Sequence, residues 1–523
     1  MELLISNIKL PIRHTEKELW KAAQKIVRLV FVHEKNAYIY KKSLDARRKQ
    51  QIHWIYSVVV KVSASDGKKI LDLNSNSIKE FVHTEHFEIK TSRSLALRPV
   101  VVGTGPCGLF AAYVLARQGY RPLVIERGDA VERRVEKISA FWSGAALDTE
   151  TNVQFGEGGA GTFSDGKLNT RIGEPLERFI LQTFVECGAP SEILYQAKPH
   201  IGTDKLRAVI KKMRSRILAW GGEVRFCTKL TGISVSGGKL NKIILNNTEE
   251  VPCDSLILAI GHSSRDTYEM LCQSGIFMQP KAFAVGVRIE HKQTYINRLQ
   301  YGVYANELPP ADYRVAYNTQ ERGCYSFCMC PGGTVVNASS ESGMLAVNGM
   351  SNHARDGENA NSALVVTVRP EDFETDSVLG GMEFQRHYER LAYSLGNGAA
   401  PIQLASDFLV DRVSEKLGDV VPSFSGKTVF APLRECLPEF VVSTLKDGLQ
   451  SFEFRMKGFA LNGALLTGVE TRTSAPLRIT RGESGESLNC RGLYPAGEGA
   501  GYAGGIMSAA IDGVKTVMKL LQS

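Results

Sequence analysis

A strand, a glycine loop and a helix at residues 99–118, a second strand–turn–helix unit at 493–521, and a length of 523 residues together predict an α/β fold class. The expected architecture is a Rossmann-like nucleotide-binding domain with an inserted mixed α+β domain and a small N-terminal α+β domain. The predicted bounds are 1–95 for the small domain, 96–280 with 485–523 for the nucleotide-binding domain, and 281–484 for the inserted substrate or cap domain. So long a chain exceeds one ordinary core. Its 43% hydrophobic and 23% charged residues are those of a globular protein.

The first domain opens with Thr15-Glu-Lys-Glu18, a capping box in which the Thr hydroxyl takes a helix-end amide and the Glu reaches back. Leu19, Ala23, Ile26, Val27 and Val30 then recur at helical spacing. Phe31–Tyr40 and His53–Val62 read as strands, and the polar run from Ser63 to Lys90 as turns and linker. Residues 1–98 hold 19 Lys and Arg against 10 Asp and Glu, while the whole chain carries +8, so the basic excess is N-terminal. Such an excess is ordinarily a solvated basic face. Docking of nucleic acid or an acidic partner through residues 1–95 is the sharper alternative, although no RNA-binding motif accompanies it.

The second domain opens on Pro99-Val-Val-Val-Gly103-Thr-Gly105-Pro106-Cys107-Gly108. In a G-x-G-x-x-G loop between strand and helix, Gly103 allows the tight turn, Gly105 lets backbone approach a pyrophosphate, and Gly108 lets helix and strand pack closely. Pro106 and Cys107 start the helix, whose free N–H groups favour phosphate. A second strand at Pro122–Ile125 ends in Glu126, a carboxylate suited to the ribose hydroxyls of an adenosine. That acidic choice disfavours a 2′-phosphate and points to FAD or NAD rather than NADP. No second G-x-G-x-x-G follows a strand elsewhere, so a separate tightly held NAD(P) domain is not expected. The uncharged stretch Pro99–Ala116 carries glycines and a proline through its middle, so no membrane span is expected. Ten scattered cysteines and an N-terminus without a basic n-region suggest a reducing, cytoplasmic setting.

Leu256-Ile-Leu-Ala-Ile-Gly261-His262 and Gly492-Leu-Tyr-Pro-Ala-Gly497-Glu498, the latter followed by Gly501-Tyr-Ala-Gly504-Gly505-Ile506, are two more strand-to-glycine turns. With them the chain resembles the glutathione-reductase-type flavoproteins of the single-dinucleotide branch. Phe155–Lys167, Cys328-Met-Cys-Pro-Gly-Gly333 and Gly468-Val-Glu-Thr-Arg-Thr473 extend the resemblance to the bacterial FAD-dependent dehydrogenase family of undefined substrate. The resemblance implies FAD as cofactor, lying across a domain built from the start and end of the chain. It places Glu498 at the ribityl or phosphate region and Gly504, Gly505 and Ile506 at the flavin edge. It puts Arg127 and Arg134 near the pyrophosphate, Leu230 at the adenine, and Gly158, Gly159 and Lys167 in a loop closing over the flavin.

The reacting groups are less defined. Cys324, Cys328 and Cys330 could be structural, a redox or nucleophilic thiol, or metal ligands. No second Cys/His pair at zinc spacing supports metal, so none is expected. Cys328, Cys330 and His353 are the catalytic candidates, His353 as a general acid or base. Arg288 and Arg472 could hold an anionic substrate or pair with a nearby Glu. The expected activity is an FAD-dependent oxidoreductase, dehydrogenase-like, moving hydride between a small-molecule substrate and FAD, with NAD(P)H as a transient partner. The alternatives are an RNA-linked flavoprotein and a flavin-binding protein without turnover.

Overall fold

In the computed structural model, residues 1–27, 36–72, 75–82, 93–168 and 175–522 are described. A five-stranded, all-parallel sheet sits at the centre. Its strands, in spatial order, are Leu493–Pro495, Leu256–Leu258, Val100–Val102, Leu123–Ile125 and Glu223–Arg225. Numbered along the chain these run 5-4-1-2-3, so strand order reverses between Val100–Val102 and Leu256–Leu258, the point where such sheets bind ligands. Four of the five strands, all but Glu223–Arg225, are triplets of buried residues, as expected where helices or a second sheet cover both faces.

The Pro106–Arg117 helix explains the long uncharged stretch: every residue from Cys107 to Ala116 is buried. It packs against the last helix, Ile506–Gln522, and against Thr203–Ala219. Phe110 is fully buried there, edge-on to Phe184 at 5.1 Å. Gly108 makes the helix–strand contact possible, because a Cβ on it would lie 1.9 Å from the Gly103 carbonyl oxygen. A three-stranded antiparallel sheet (Leu230–Ser236, Lys239–Leu245, Glu249–Pro252) joins the third and fourth central strands.

Residues 283–470 build a seven-stranded mixed sheet. Its inner strands are Gly323–Cys330, Asn359–Val368, Phe283–Lys292 and Leu465–Glu470. The short pair Met278–Pro280 and Leu477–Ile479 carries the chain into and out of this sheet. A fully buried ion cluster ties the two sheets' domains: Glu389 takes Arg265 at 2.7 Å and Arg472 at 2.7 Å. Arg472 further donates to Ser340 at 2.5 Å and Ser263 at 3.3 Å.

The N-terminal segment folds as β-α-β-β-α-β: Glu2–Leu10, Glu16–Val27, Ala37–Asp45, His53–Lys61, Ala64–Leu71 and Ile78–Glu80. Its antiparallel sheet has the third and first strands in the middle. The capping box forms, with Thr15 N donating to Glu18 at 2.7 Å and Glu18 N to Thr15 Oγ1 at 3.3 Å. Two expectations change. The first strand starts at Glu2, where Leu3, Ile5, Ile8 and Leu10 point inward around a bulge between Ile5 and Ile8 that masks the period of two. The run expected as linker instead holds a Ser63-capped helix and the edge strand. Residues 31–35 of the strand expected at Phe31–Tyr40, and Val30, lie outside the described residues. Among the described residues, no helix is long and apolar enough to cross a membrane.

Candidate functional site

A cleft of about 1820 Å³, counting its open mouth, runs along the switch point of the parallel sheet to the edge of the seven-stranded sheet. Gly103, Gly105, Pro106, Cys107, Glu126, Arg127, Gly159, Lys167, Leu230, Gly261, Glu498, Gly504, Gly505 and Ile506 all line it, as does Cys328. Residues from seven separated stretches of chain thus meet in one groove.

The first glycine turn is forced by packing. Gly103 has φ +96, and a Cβ there would lie 2.4 Å from the Ala259 carbonyl oxygen. No side chain caps the Pro106–Arg117 helix at Gly105, so its first amides stay available to an anion. Glu126 is buried and accepts four hydrogen bonds: Thr104 N at 2.9 Å, Thr104 Oγ1 at 2.7 Å, Gly128 N at 3.0 Å and Gly156 N at 3.0 Å. Its carboxylate therefore fastens the first glycine loop to the second, around Gly156.

Gly504 supplies the fit test for a flat ligand. It lines the cleft, its φ is outside the left-handed region, and a Cβ built on it meets no atom within 4 Å. Neither backbone conformation nor packing within the protein demands glycine there. A ligand lying against the backbone would. Gly261 and Gly505 also face open space, with φ of +73 and +137. The Ile506–Gln522 helix starts beside them and directs its end at the cleft. These features fit FAD.

Four expected site residues lie behind the wall. Arg134 is fully buried, and its guanidinium donates to the carbonyls of Asn152, Val153, Gly156, Glu157 and Gly159 at 2.7–3.2 Å. Its charge organises the second glycine loop rather than meeting a pyrophosphate. Gly158 packs inward, because a Cβ on it would lie 2.1 Å from Thr162 Oγ1. Gly497 packs on Cys107, 2.8 Å from its Cβ by the same measure, and Gly108 serves the helix–strand contact. Arg127 does line the cleft, but its charge is committed: it pairs with Glu150 at 2.7 Å and Asp266 at 2.9 Å and lies 4.0 Å over Phe155.

The catalytic candidates separate. Cys328 lines the cleft; Cys330 is buried beneath it. Cys324 belongs to another neighbourhood, against Gly448 of the Glu439–Arg455 helix. His353 is not at the cleft. Its ring stacks on His200 at 5.2 Å, its Nδ1 lies 3.0 Å from the Ile201 carbonyl and its Nε2 3.3 Å from Glu192. Arg288 and Arg472 are buried ion-pair partners, Arg288 of Glu470 at 2.6 Å, so neither holds a free anion-binding charge. Among the described residues, no group of three His, Cys, Asp or Glu is arranged to hold a metal.

Sequence reasoning missed His262, Asn348, Glu470 and Phe327, all in the wall. They come from four strand ends and carry no shared motif. Burial, then Arg472 and Arg265, push the His262 imidazolium down to about 3, so the ring is neutral. Burial pushes the Glu498 carboxyl up to about 7 against the pull of Lys281.

Residues 282–473 match the family described as FAD-dependent protein, C-terminal domain-like, and 101–140 match an NAD(P)-binding Rossmann-like domain. Residues 2–61 match a domain of unknown function. An uncharacterized protein of Clostridium beijerinckii is 50% identical over 532 residues, spanning 100% of this chain and 99% of that one. Among solved structures, the halogenase PltM aligns at 11% identity and a TM-score of 0.37, over 81% of this chain and 68% of its own. A geranylgeranyl bacteriochlorophyll reductase-like protein of Thermoplasma acidophilum aligns at 12% and 0.34, over 80% and 77%. The chain belongs to the family of the Clostridium beijerinckii protein, and with its FAD-dependent C-terminal domain and Rossmann-like loop it is a flavoprotein whose cofactor is FAD.

Proposed function

We propose that the protein is an FAD-dependent oxidoreductase that exchanges a hydride with a small substrate held between the parallel sheet and the seven-stranded sheet. The observation that carries this reading is the course of one cleft from the phosphate-type loop at Gly103–Gly108, past Gly261 and Gly504, to Phe327, Cys328, Asn348 and Glu470. When bound, FAD supplies the two-electron chemistry. The chain's own residues bind, orient and move protons. The uncapped helix ends at Gly105 and Ile506 offer amides to negative charge. Thr104 Oγ1, the one rotatable donor among the four on Glu126, is where a ribose hydroxyl can enter.

Asn348 is the best-placed group for substrate. Its Oδ1 is pinned by Arg288 at 3.0 Å and by the Gly349 amide at 2.7 Å, which leaves the NH₂ group for a ligand carbonyl or anion. Glu498 can hold or release a proton near neutral pH at its carboxyl oxygen. NAD(P)H fits as a transient donor entering the same cleft, since no second G-x-G-x-x-G that directly follows a strand is present in the sequence.

Anaerobic titration of the yellow holoprotein with NADH, NADPH and a metabolite panel tests the reading. Bleaching of the flavin by one of them, with reoxidation by a second compound, is expected. Protein that takes up no FAD refutes the reading; a flavin that no donor bleaches favours a binding protein without turnover.

A further inference from the structure

The wall of the cleft contains a charge cluster that FAD binding does not use. The ladder between Gly323–Cys330 and Asn359–Val368 slips by one residue: Phe327 pairs with Ala363, but Cys330 rather than Met329 pairs with Asn361. This bulge sits at Cys328, whose φ is +44, a conformation costly for any side chain bearing a Cβ. The bulge turns Cys328 out of the ladder and into the cleft. Bulges that re-aim a side chain beside a binding site are kept for that purpose.

The surroundings of the sulfur are positive. Lys167 and Arg355 both pair with the single carboxylate of Asp165, at 3.1 Å and 2.5 Å, and Lys167 also bonds the Met329 carbonyl. Arg288 pairs with Glu470 at 2.6 Å and donates to the Cys328 carbonyl at 3.0 Å. Three cations therefore face two carboxylates, and burial raises Glu470, like Glu498 in the same wall, to about 7, so the cluster is short of negative charge near neutral pH. The Cys330 thiol is buried behind, donating to the Cys328 carbonyl at 3.3 Å.

We infer that Cys328 stands as the nucleophile of the cleft wall for a soft electrophilic centre of the substrate, with the Cys330 thiol behind it and Lys167 and Arg288 as its counter-charge. A hydrogen bond from Cys330, then Lys167 and Arg288, holds the Cys328 thiol well below an ordinary cysteine, against burial and Asp165. Cys330 is driven the opposite way by the same contact and by burial, so the pair carries one proton. In the reaction the sulfur lone pair forms the new bond, and the electrons of the broken bond leave on the displaced atom. The inference deepens the oxidoreductase reading by naming the substrate's chemistry, but its test does not depend on turnover.

The test is alkylation by iodoacetamide, in which S–C forms, C–I breaks and iodide departs. Rates are followed at the Cys328 peptide by mass spectrometry across pH, with and without FAD. The exposed Cys227, whose thiol is raised by burial and by Asp129, is the internal control. The expected Cys328 profile reaches half its maximum at least about one pH unit below the free-cysteine value of about 8.5. Lys167→Met and Cys330→Ala should each move the midpoint of the Cys328 profile up by about one pH unit, which is about tenfold slower alkylation at a pH below both midpoints. A wild-type Cys328 profile that coincides with an ordinary thiol, or no labelling of Cys328 at any pH in the apoprotein, overturns the inference. Flavin absorbance in the same sample reports the cofactor reading separately.

Discussion

Gly504→Ala and Gly103→Ala should separate cofactor binding from folding. At Gly504 the new methyl meets no protein atom within 4 Å and φ is ordinary. Apoprotein stability should therefore change by less than about 0.5 kcal/mol, or rise by up to about 1 kcal/mol through a less flexible unfolded chain. The same methyl occupies space against which the ligand packs. An inserted methyl in a packed contact costs about 1–3 kcal/mol, which weakens FAD binding by roughly 5- to 150-fold. At Gly103 the substitution meets φ +96 and a carbonyl oxygen 2.4 Å away. Left-handed backbone costs roughly 1–2 kcal/mol and the overlap about 1–3 kcal/mol more, so the apoprotein itself should lose about 2–5 kcal/mol. The assay pairs urea unfolding of apoprotein with fluorescence titration of FAD. A Gly504→Ala protein with unchanged FAD affinity, or one whose apoprotein is destabilised as much as Gly103→Ala, refutes the assignment of Gly504 to ligand contact.

Arg134→Met strips a buried charge from five carbonyl acceptors and should cost about 3–5 kcal/mol of stability, read as a lower urea midpoint, although the side chain never reaches the cleft. Glu498 has a folded pKa raised from 4.5 to about 7; the stability it contributes is complete below its unfolded pKa and is lost as pH rises through about 7. The apoprotein should thus lose up to about 3 kcal/mol over that window, and Glu498→Gln should flatten the profile of unfolding midpoint against pH. Glu389, held far below an ordinary carboxyl by burial-resisting pairs with Arg265 and Arg472, behaves with the opposite sign. Its contribution is present at neutral pH and lost on acidification, and Glu389→Gln should cost about 3–5 kcal/mol at pH 7 with a smaller deficit in acid. Phe110→Ala should cost about 3–5 kcal/mol as a cavity at the helix–helix contact, without a change in Cys328 alkylation.

The parallel sheet and the first glycine loop were legible because each is a local pattern. Three consecutive apolar residues, a G-x-G-x-x-G and an acid at a strand end need only short stretches of chain. The reach of Gly504 and Gly261 into the cleft was legible only through the resemblance to the flavoproteins. Arg134 was misread because spacing from Glu126 says nothing about which way a helical side chain turns; here it turns toward five carbonyls of a loop that follows it. His353 was misread because a histidine in a polar loop gives no sign of the His200 ring that stacks on it 153 residues away. The first strand was missed because a bulge breaks its alternation. Asn348, Glu470 and His262 were out of reach because their proximity arises only when three separate sheets are brought together around the cleft.

The central sheet is also a timing device. Its last strand, Leu493–Pro495, and the Ile506–Gln522 helix that buries the Pro106–Arg117 helix are made long after the first strand and helix. About 390 residues separate the two helices, so at roughly 5–20 residues per second the first waits on the order of 20–80 s for its partner on the ribosome. Throughout that interval ten consecutive buried residues of Pro106–Arg117 lack the last helix from their packing. The part of the cofactor groove from Ala496 to Ala509 does not yet exist. Flavin capture must await the Ile506–Gln522 helix, and a chain lacking that helix should yield a product for chaperones and proteases rather than a weaker enzyme.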